Sequence, residues 1–172
     1  MVGGREAGLR PGLADREVKR RRTLAWAGGF LIPVLAWCGL IFWVSSRTAS
    51  QLQDATWVPA LAEIAHFGAY LVLAILVWRL LASVVRSSGV INVRDLVVAN
   101  LTGAASFAYA LSDEYHQTFV PGRAFSVEDL AVDLAGIVTG TGLALAFRYR
   151  RARRSSMESS AALHSPAGGT TI

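Results

Sequence analysis

The chain has 172 residues, 53% of them hydrophobic and 17% charged, with a mean hydropathy of +0.41 and a formal net charge of +5. This composition is unusually apolar for a soluble domain and indicates that lipid is the solvent for most of the chain. The single cysteine, Cys38, excludes an intramolecular disulfide, and the absence of any DNA-recognition motif excludes a DNA-binding protein.

Four apolar stretches follow one another, and an α-helix needs roughly 20 residues to cross a bilayer. Span 1, Leu24–Val44, carries no charge, and Pro33 should kink it. It is too long for the core of a signal peptide, so we expect an uncleaved anchor. Span 2, His66–Val85, contains only Arg79, which lies near enough to one end to reach the headgroups.

The last two stretches are less uniform. Span 3, Asp95–Ser112, is weaker because it carries small and polar residues, including Asn100, in place of leucine. Span 4, Leu130–Phe147, is apolar apart from Asp133. Uninterrupted runs of this length do not fit the alternating pattern of a β-barrel. The sequence therefore predicts an all-α fold, a polytopic transmembrane bundle of four helices.

The basic residues predict the orientation of this bundle. Fifteen of the seventeen Lys and Arg residues lie in residues 1–23, between or at the edges of spans 2 and 3, or in residues 148–154. The two other connections contain only Arg47 and Arg123. By the positive-inside rule, both termini are cytoplasmic and these two connections are extracytoplasmic, in a multi-pass protein of the plasma membrane.

The same pattern divides the chain into three parts. Residues 24–147 form the transmembrane domain, residues 1–23 a basic tail, and residues 148–172 a tail that is basic and then of low complexity. Both tails are rich in Gly, Ser, Pro or charge, so we expect them to be disordered. Their basic portions are expected to contact anionic lipid headgroups, which makes membrane lipids the first predicted partner.

Polar residues recur at helical spacing and converge on the outer face. Span 3 carries a stripe of small residues that ends in an acid and an amide: Ala99, Gly103, Ser106, Ala110, Asp113 and Gln117. Span 4 combines two acids with two glycines, Asp129, Asp133, Gly136 and Gly140. Span 2 opens with Glu63, His66 and Tyr70 on one face. The small residues predict close contacts between antiparallel spans 3 and 4.

Single residues of this region admit different roles. Ser126 and Asp129 match a helix-start pattern, whereas Asp133 lies about a turn deeper, where capping no longer explains an acid. Pro121-Gly122 predicts a turn that brings Arg123 back over the bundle, where it can neutralise Asp113 or Asp133 or hold a phosphate or carboxylate. The acids and histidines could recruit Mg²⁺, Ca²⁺ or Zn²⁺, but no residue spacing matches a dedicated metal site, so the sequence predicts no metal ligand and identifies no cofactor.

Three segments resemble the VanZ-like family of bacterial membrane proteins: "FWVSSRTA" in span 1, "HFGAYLVLAIL" in span 2, and "SDEYHQTFVPGRAFSVEDLAVDLAGIVTG" joining spans 3 and 4. The resemblance covers about residues 40–145. Its central element is D-E-x-x-Q, a following P-G-R and a later acid. These positions are Asp113, Glu114, Gln117, Arg123 and Asp133.

The resemblance implies a small protein of the cell envelope and a link with resistance to the glycopeptide teicoplanin, but it names no reaction. Three hypotheses remain open. The outer site binds an anionic envelope lipid, a glycan or a lipophilic glycopeptide; it catalyses a modification of such a ligand; or it only holds helix ends together in a structural or transport-associated membrane protein. Asp113, Glu114, Gln117, Arg123 and Asp133 are the candidate binding or catalytic residues, and the candidate substrate contacts are His66, Tyr70, His116, Ser45 and Ser46.

Overall fold

The computed structural model describes residues 11–48, 59–85 and 92–164. Within this part, the chain forms four helices and no strand, which confirms the all-α fold. The first helix consists of α1 (Pro11–Trp26), a π-helical turn (Ala27–Leu31) and α2 (Ile32–Ser45) without interruption. It is followed by α3 (Pro59–Val84), α4 (Val93–Gln117) and α5 (Val127–His164).

The π-helical turn lies immediately before Pro33. Proline has no N–H, so the carbonyl four residues earlier loses its helical partner. The N–H of Ile32 bonds to the carbonyl of Ala27, five residues back, which is the wider π-helical pattern. The helix thus accommodates the proline through this one turn and continues.

Three helices are long and apolar enough to span a membrane: Asp15–Ser45, Ala62–Val84 and Val127–Ser160. Helix α4 is not among these three, in agreement with the weaker span 3 of the sequence, and one of its faces carries buried polar residues such as Thr102 and Ser106. Large apolar side chains instead cover the outside of the bundle, among them Leu35, Phe42, Ile64, Val138 and Leu143. A surface of apolar side chains around a polar interior is typical of a helix bundle solvated by lipid.

Contacts between the helices define the topology. The Trp26 indole donates to the Ser83 hydroxyl at 2.8 Å, so the start of the first helix meets the end of α3. Tyr109 donates to the carbonyl of Cys38 at 2.6 Å, which places α4 parallel to α2. Helix α5 is antiparallel to α4, as expected, since its Arg148 reaches Asp95 at the start of α4.

The glycines of α5 pack against a different helix from the predicted one. A Cβ added at Gly136 would overlap the carbonyl oxygen of Phe67 and lie 3.1 Å from the backbone nitrogen of Leu71. Gly140 meets the Leu71 carbonyl in the same way. The close partner is therefore α3, parallel to α5. A Cβ at Gly103 would meet nothing within 4 Å, so the predicted glycine contact between spans 3 and 4 was wrong.

Both tails contain more helix than expected. Helix α1 begins at Pro11 and α5 continues to His164, so residues 11–22 and 155–164 are helical, contrary to the expectation of disorder. Extending an existing helix needs no new nucleation, and Arg, Glu, Met and Ala favour helix. Residues 1–10 and 165–172 lie outside the described residues, and the division at residues 23 and 148 stays a prediction.

Candidate functional site

Seven polar side chains meet at one end of the bundle. Helix α2 ends there with Ser45, and α3 contributes His66 and Tyr70 from its first half. The last two turns of α4 contribute three residues, and the second turn of α5 contributes one. We call this set the polar cluster: Ser45, His66, Tyr70, Asp113, Glu114, Gln117 and Asp133. Six of the seven are buried, and His66 is partly buried. The helical stripes of the sequence predicted this convergence because each ends at the same level.

Asp113 is surrounded by hydrogen-bond donors. Its Oδ2 accepts from the Ser45 hydroxyl at 2.8 Å, the Tyr70 hydroxyl at 3.2 Å and the Gln117 amide at 3.4 Å. Hydrogen bonds to a carboxylate stabilise its charged form. Its Oδ1 is buried and has no hydrogen-bond partner in the part of the chain that the structure describes. This carboxylate is thus fixed in place with one oxygen left over.

Gln117 joins Asp113 to Glu114. The same amide nitrogen lies 3.1 Å from Oε1 of Glu114, whose Oε2 accepts from the backbone N–H of Ser126 at 2.9 Å. Adjacent residues of a helix point about 100° apart, so the two acids do not touch. They nevertheless share one donor, the Gln117 amide, which links the two carboxylates to each other.

Asp133 is fully buried, as Glu114 is, with 0% of its surface exposed. Its Oδ1 lies 3.1 Å from Nδ1 of His66, whereas its Oδ2 has no hydrogen-bond partner among the described residues. An ionisable group within a membrane helix is unfavourable unless it is paired. One imidazole contact leaves half of this carboxylate unsatisfied.

Arg123 does not pair with either predicted acid. A turn does form at Gly122, whose φ of 79° is the left-handed conformation that glycine tolerates. The guanidinium, however, donates to Oε1 of Gln117. No ion pair links it to Asp113 or Asp133 in the described structure, so of the alternatives raised for this residue the structure does not show neutralisation of either acid. The Gln117 amide oxygen, and not a carboxylate, accepts the hydrogen bond of this guanidinium.

Three residues of the sequence interpretation lie apart from the cluster. Nε2 of His116 lies 3.1 Å from the Ser46 hydroxyl, and its ring packs 4.5 Å from Phe42 at the protein surface. Glu63 is exposed. A one-residue step along a helix rotates the side chain by about 100°, which is why Ser45 enters the cluster and Ser46 does not.

An apolar groove of about 420 Å³ leads to the polar cluster between α2 and α3. Its walls include Trp37, Ile41 and Gly68, and its polar end is formed by Ser45, His66, Tyr70 and Asp113. The indole of Trp37 donates to the carbonyl of Ala69 at 2.9 Å and so stays fixed in the wall. Sequence reasoning missed these apolar lining residues because they resemble any lipid-facing residue of a membrane helix. We call this feature the lipid groove.

Three side chains of the cluster are close enough to share a metal ion. His66, Glu114 and Asp133 each offer a ligand atom within 4.8 Å of the other two, in a search limited to the described residues. These three residues lie far apart in the chain, so a motif defined by short residue spacings does not include them. We call them the histidine–acid triad. The sequence interpretation considered only spacings between neighbouring residues, whereas the triad combines residues of three different helices.

The polar cluster and the groove combine two features, the His66–Asp133 contact and an apolar cleft. A carboxylate-bound imidazole is suited to proton transfer, and an apolar groove beside it is suited to an acyl or alkyl chain.

Comparison with known proteins finds one family model that matches the region containing this site. The family model described as VanZ/LLP1 matches residues 30–148, which include α2 to α4 and the membrane part of α5. No curated protein and no solved structure matches the chain. The matched region covers well over half of the sequence and all seven members of the polar cluster. The chain is therefore a membrane protein that belongs to the VanZ/LLP1 family.

Proposed function

We propose that the protein binds an amphipathic ligand of the bacterial cell envelope at the outer face of the plasma membrane. The apolar chain of the ligand lies in the lipid groove, and its polar group lies against the polar cluster. The observation that carries this proposal is the groove itself, an apolar cleft of about 420 Å³ that ends at Ser45, His66, Tyr70 and Asp113. Ligand sites in proteins have this composition, with apolar walls and a few convergent polar groups.

Arg123 favours a ligand with an anionic group, such as a phospholipid, a lipid-linked glycan or a lipoglycopeptide of the teicoplanin type. The guanidinium is partly exposed and is attached to the cluster through Gln117, so it retains donors for a phosphate or carboxylate. The His66–Asp133 pair adds a second capacity, since a histidine oriented by a carboxylate is a general base. Modification of the bound ligand is therefore part of the same proposal.

The test blocks the groove without touching the polar residues. Gly68 lines the groove, and a Cβ there would meet nothing within 4 Å. Gly68→Leu should fill the groove and weaken binding of phosphatidylglycerol or teicoplanin by roughly tenfold or more, because several buried CH₂ contacts are lost. Equilibrium binding to the full chain in an uncharged detergent measures this, and mass spectrometry of the recovered probe shows whether it was modified.

Gly142→Leu is the matched control. Gly142 is exposed on α5, outside the groove, and its added Cβ also meets nothing within 4 Å. It should bind the probes as the unchanged protein does. Absence of saturable binding for both probes, or equal binding by Gly68→Leu and the unchanged protein, would support the structural hypothesis in which the cluster only joins helix ends.

A further inference from the structure

We propose that His66, Glu114 and Asp133 bind a divalent transition-metal ion, with Zn²⁺ and Mn²⁺ as the best candidates. Buried acids are concentrated at this place. Three carboxylates, of Asp113, Glu114 and Asp133, are buried at one end of a membrane bundle, and each is at most 4% exposed. His66 is the only basic side chain in contact with any of them among the described hydrogen bonds and ion pairs. A divalent cation would neutralise the carboxylates that coordinate it.

The spacing of the triad fits a small ion. The three ligand atoms lie within 4.8 Å of one another, and Nδ1 of His66 is 3.1 Å from Oδ1 of Asp133. Ligands at about 2.0–2.1 Å from a tetrahedral zinc ion lie roughly 3.3 Å from each other. The imidazole and the Asp133 carboxylate therefore need little movement to share an ion, and Glu114 needs a small approach.

An unsatisfied oxygen provides an independent indication. Oδ2 of Asp133 is buried and has no hydrogen-bond partner among the described residues, although the residue is 0% exposed. A buried acceptor without a donor is rare in folded proteins and requires an explanation. Coordination of a cation by this carboxylate would supply the missing interaction.

The surrounding hydrogen bonds already orient the ligands. Glu114 receives the Gln117 amide on one oxygen and the Ser126 N–H on the other, which fixes its carboxylate but leaves a lone pair on each oxygen. Such second contacts are typical of metal ligands and sharpen their geometry. One imidazole and two carboxylates suit Zn²⁺ or Mn²⁺ better than Ca²⁺, which prefers oxygen ligands alone.

The ion would also explain how an acidic cluster accepts an anionic ligand. Three protein ligands leave coordination positions open, and an open position can hold water, phosphate or carboxylate. With the ion bound, His66 acts as a ligand and not as a general base. This role rests on the proposed function, but binding of the ion does not. The ion is therefore measured without any lipid or glycopeptide, so that the two proposals can fail separately.

The experiment measures bound metal on the full chain in detergent. After treatment with a chelator, the protein is equilibrated with Zn²⁺ or Mn²⁺ and separated from free ion, and metal is quantified by mass spectrometry. We expect about one ion per chain and a higher melting temperature in its presence. His66→Ala, Glu114→Gln and Asp133→Asn should each weaken binding by at least roughly tenfold.

Two variants serve as matched controls. Glu63→Gln makes the same change as Glu114→Gln at an exposed acid one turn before His66, and Asp129→Asn makes the same change as Asp133→Asn one turn earlier on α5. Both should bind the ion normally. The proposal is overturned if neither ion binds the unchanged protein stoichiometrically, or if the triad variants bind as the controls do. The first of these outcomes does not depend on whether any variant folds.

Discussion

At the scale of single residues, the buried acids differ in how well they are satisfied. Asp95, 3% exposed, is paired with Arg148 and also accepts the backbone N–H of Asn92 at 3.1 Å in a capping box. Asp113 accepts three neutral donors, whereas Asp133 has one imidazole. Asp95 has the contacts of a structural residue. Asp113 and Asp133 each have one buried carboxylate oxygen without a hydrogen-bond partner among the described residues. This is instead typical of residues that bind a ligand.

We therefore predict opposite effects for the same substitution at two sites. Asp95→Asn should lower the melting temperature clearly, because breaking a buried ion pair costs roughly 3–5 kcal/mol and somewhat less here, where Arg148 is 25% exposed. Asp113→Asn should leave the melting temperature close to that of the unchanged protein, because an amide oxygen still accepts from Ser45 and Tyr70. Thermal melting in mild detergent measures both.

Binding of the envelope probe should show the reverse order. Asp113→Asn should lose binding and Asp95→Asn should retain it at temperatures where it is folded. Glu17→Gln, at an exposed acid of α1 that pairs with Arg21, is the control and should change neither property. A large loss of stability in Asp113→Asn would indicate that the cluster exists to hold the helices together.

At the scale of whole elements, α3 and α5 form the tightest pair because two glycines let their backbones approach. Gly136 and Gly140 lie four residues apart on α5 and face Phe67 and Leu71, also four residues apart on α3. Helices in a membrane gain little from burying apolar surface, since lipid is equally apolar, so close van der Waals contact contributes much of their association. This contact also fixes Asp133, one turn from Gly136, beside His66.

Gly136→Leu should reduce the yield of folded protein strongly, because its side chain would occupy the space of the Phe67 carbonyl and separate α5 from α3. Size-exclusion chromatography in detergent after membrane extraction measures the folded fraction. Gly103→Ala is the contrasting variant. It should be tolerated, or even stabilise α4 by about 0.5–1 kcal/mol, since alanine favours helix over glycine. Equal yields for Gly136→Leu and the unchanged protein would contradict this packing.

At the scale of the whole molecule, the two ends of the bundle have different characters. One end carries the polar cluster, and the other carries the Asp95–Arg148 pair and the arginines that follow in α5. Basic residues beside membrane helices are retained in the cytoplasm. This asymmetry predicts that the polar cluster faces outward and both termini face the cytoplasm.

Reporter fusions test this orientation directly. Fusions at residues 55 and 120 should report an extracytoplasmic location, and fusions at residue 90 and at either terminus a cytoplasmic one. Residues 55 and 90 lie outside the described residues, so these positions are chosen from the sequence alone. Replacing the exposed residues Arg150, Arg151 and Arg153 with glutamine should weaken the preference, whereas replacing Arg47 should not. Reversed labelling would place the cluster in the cytoplasm and exclude an envelope ligand on the outer face.

Residue order alone was enough to predict the four helices, because the apolar runs have the length that a bilayer requires and backbone groups in lipid must bond within their own helix. It also predicted which residues converge. Asp113, Gln117 and Asp133 lie on helical stripes, and helical periodicity is a local property that a single chain records. The same local signal placed Ser126 correctly at the start of α5, where its hydroxyl accepts from Asp129 at 3.0 Å.

Only the tertiary structure decided which stripes touch and which side chains pair. Gly136 faces α3 instead of α4, Arg123 contacts Gln117 instead of an acid, and His66 meets Asp133 across 67 positions of the chain. Periodicity defines the face of a helix but not the neighbour that covers it. Partners depend on crossing geometry and on small shifts along the helix axes, which contacts throughout the bundle determine together. The lipid groove and the histidine–acid triad arise from those shifts.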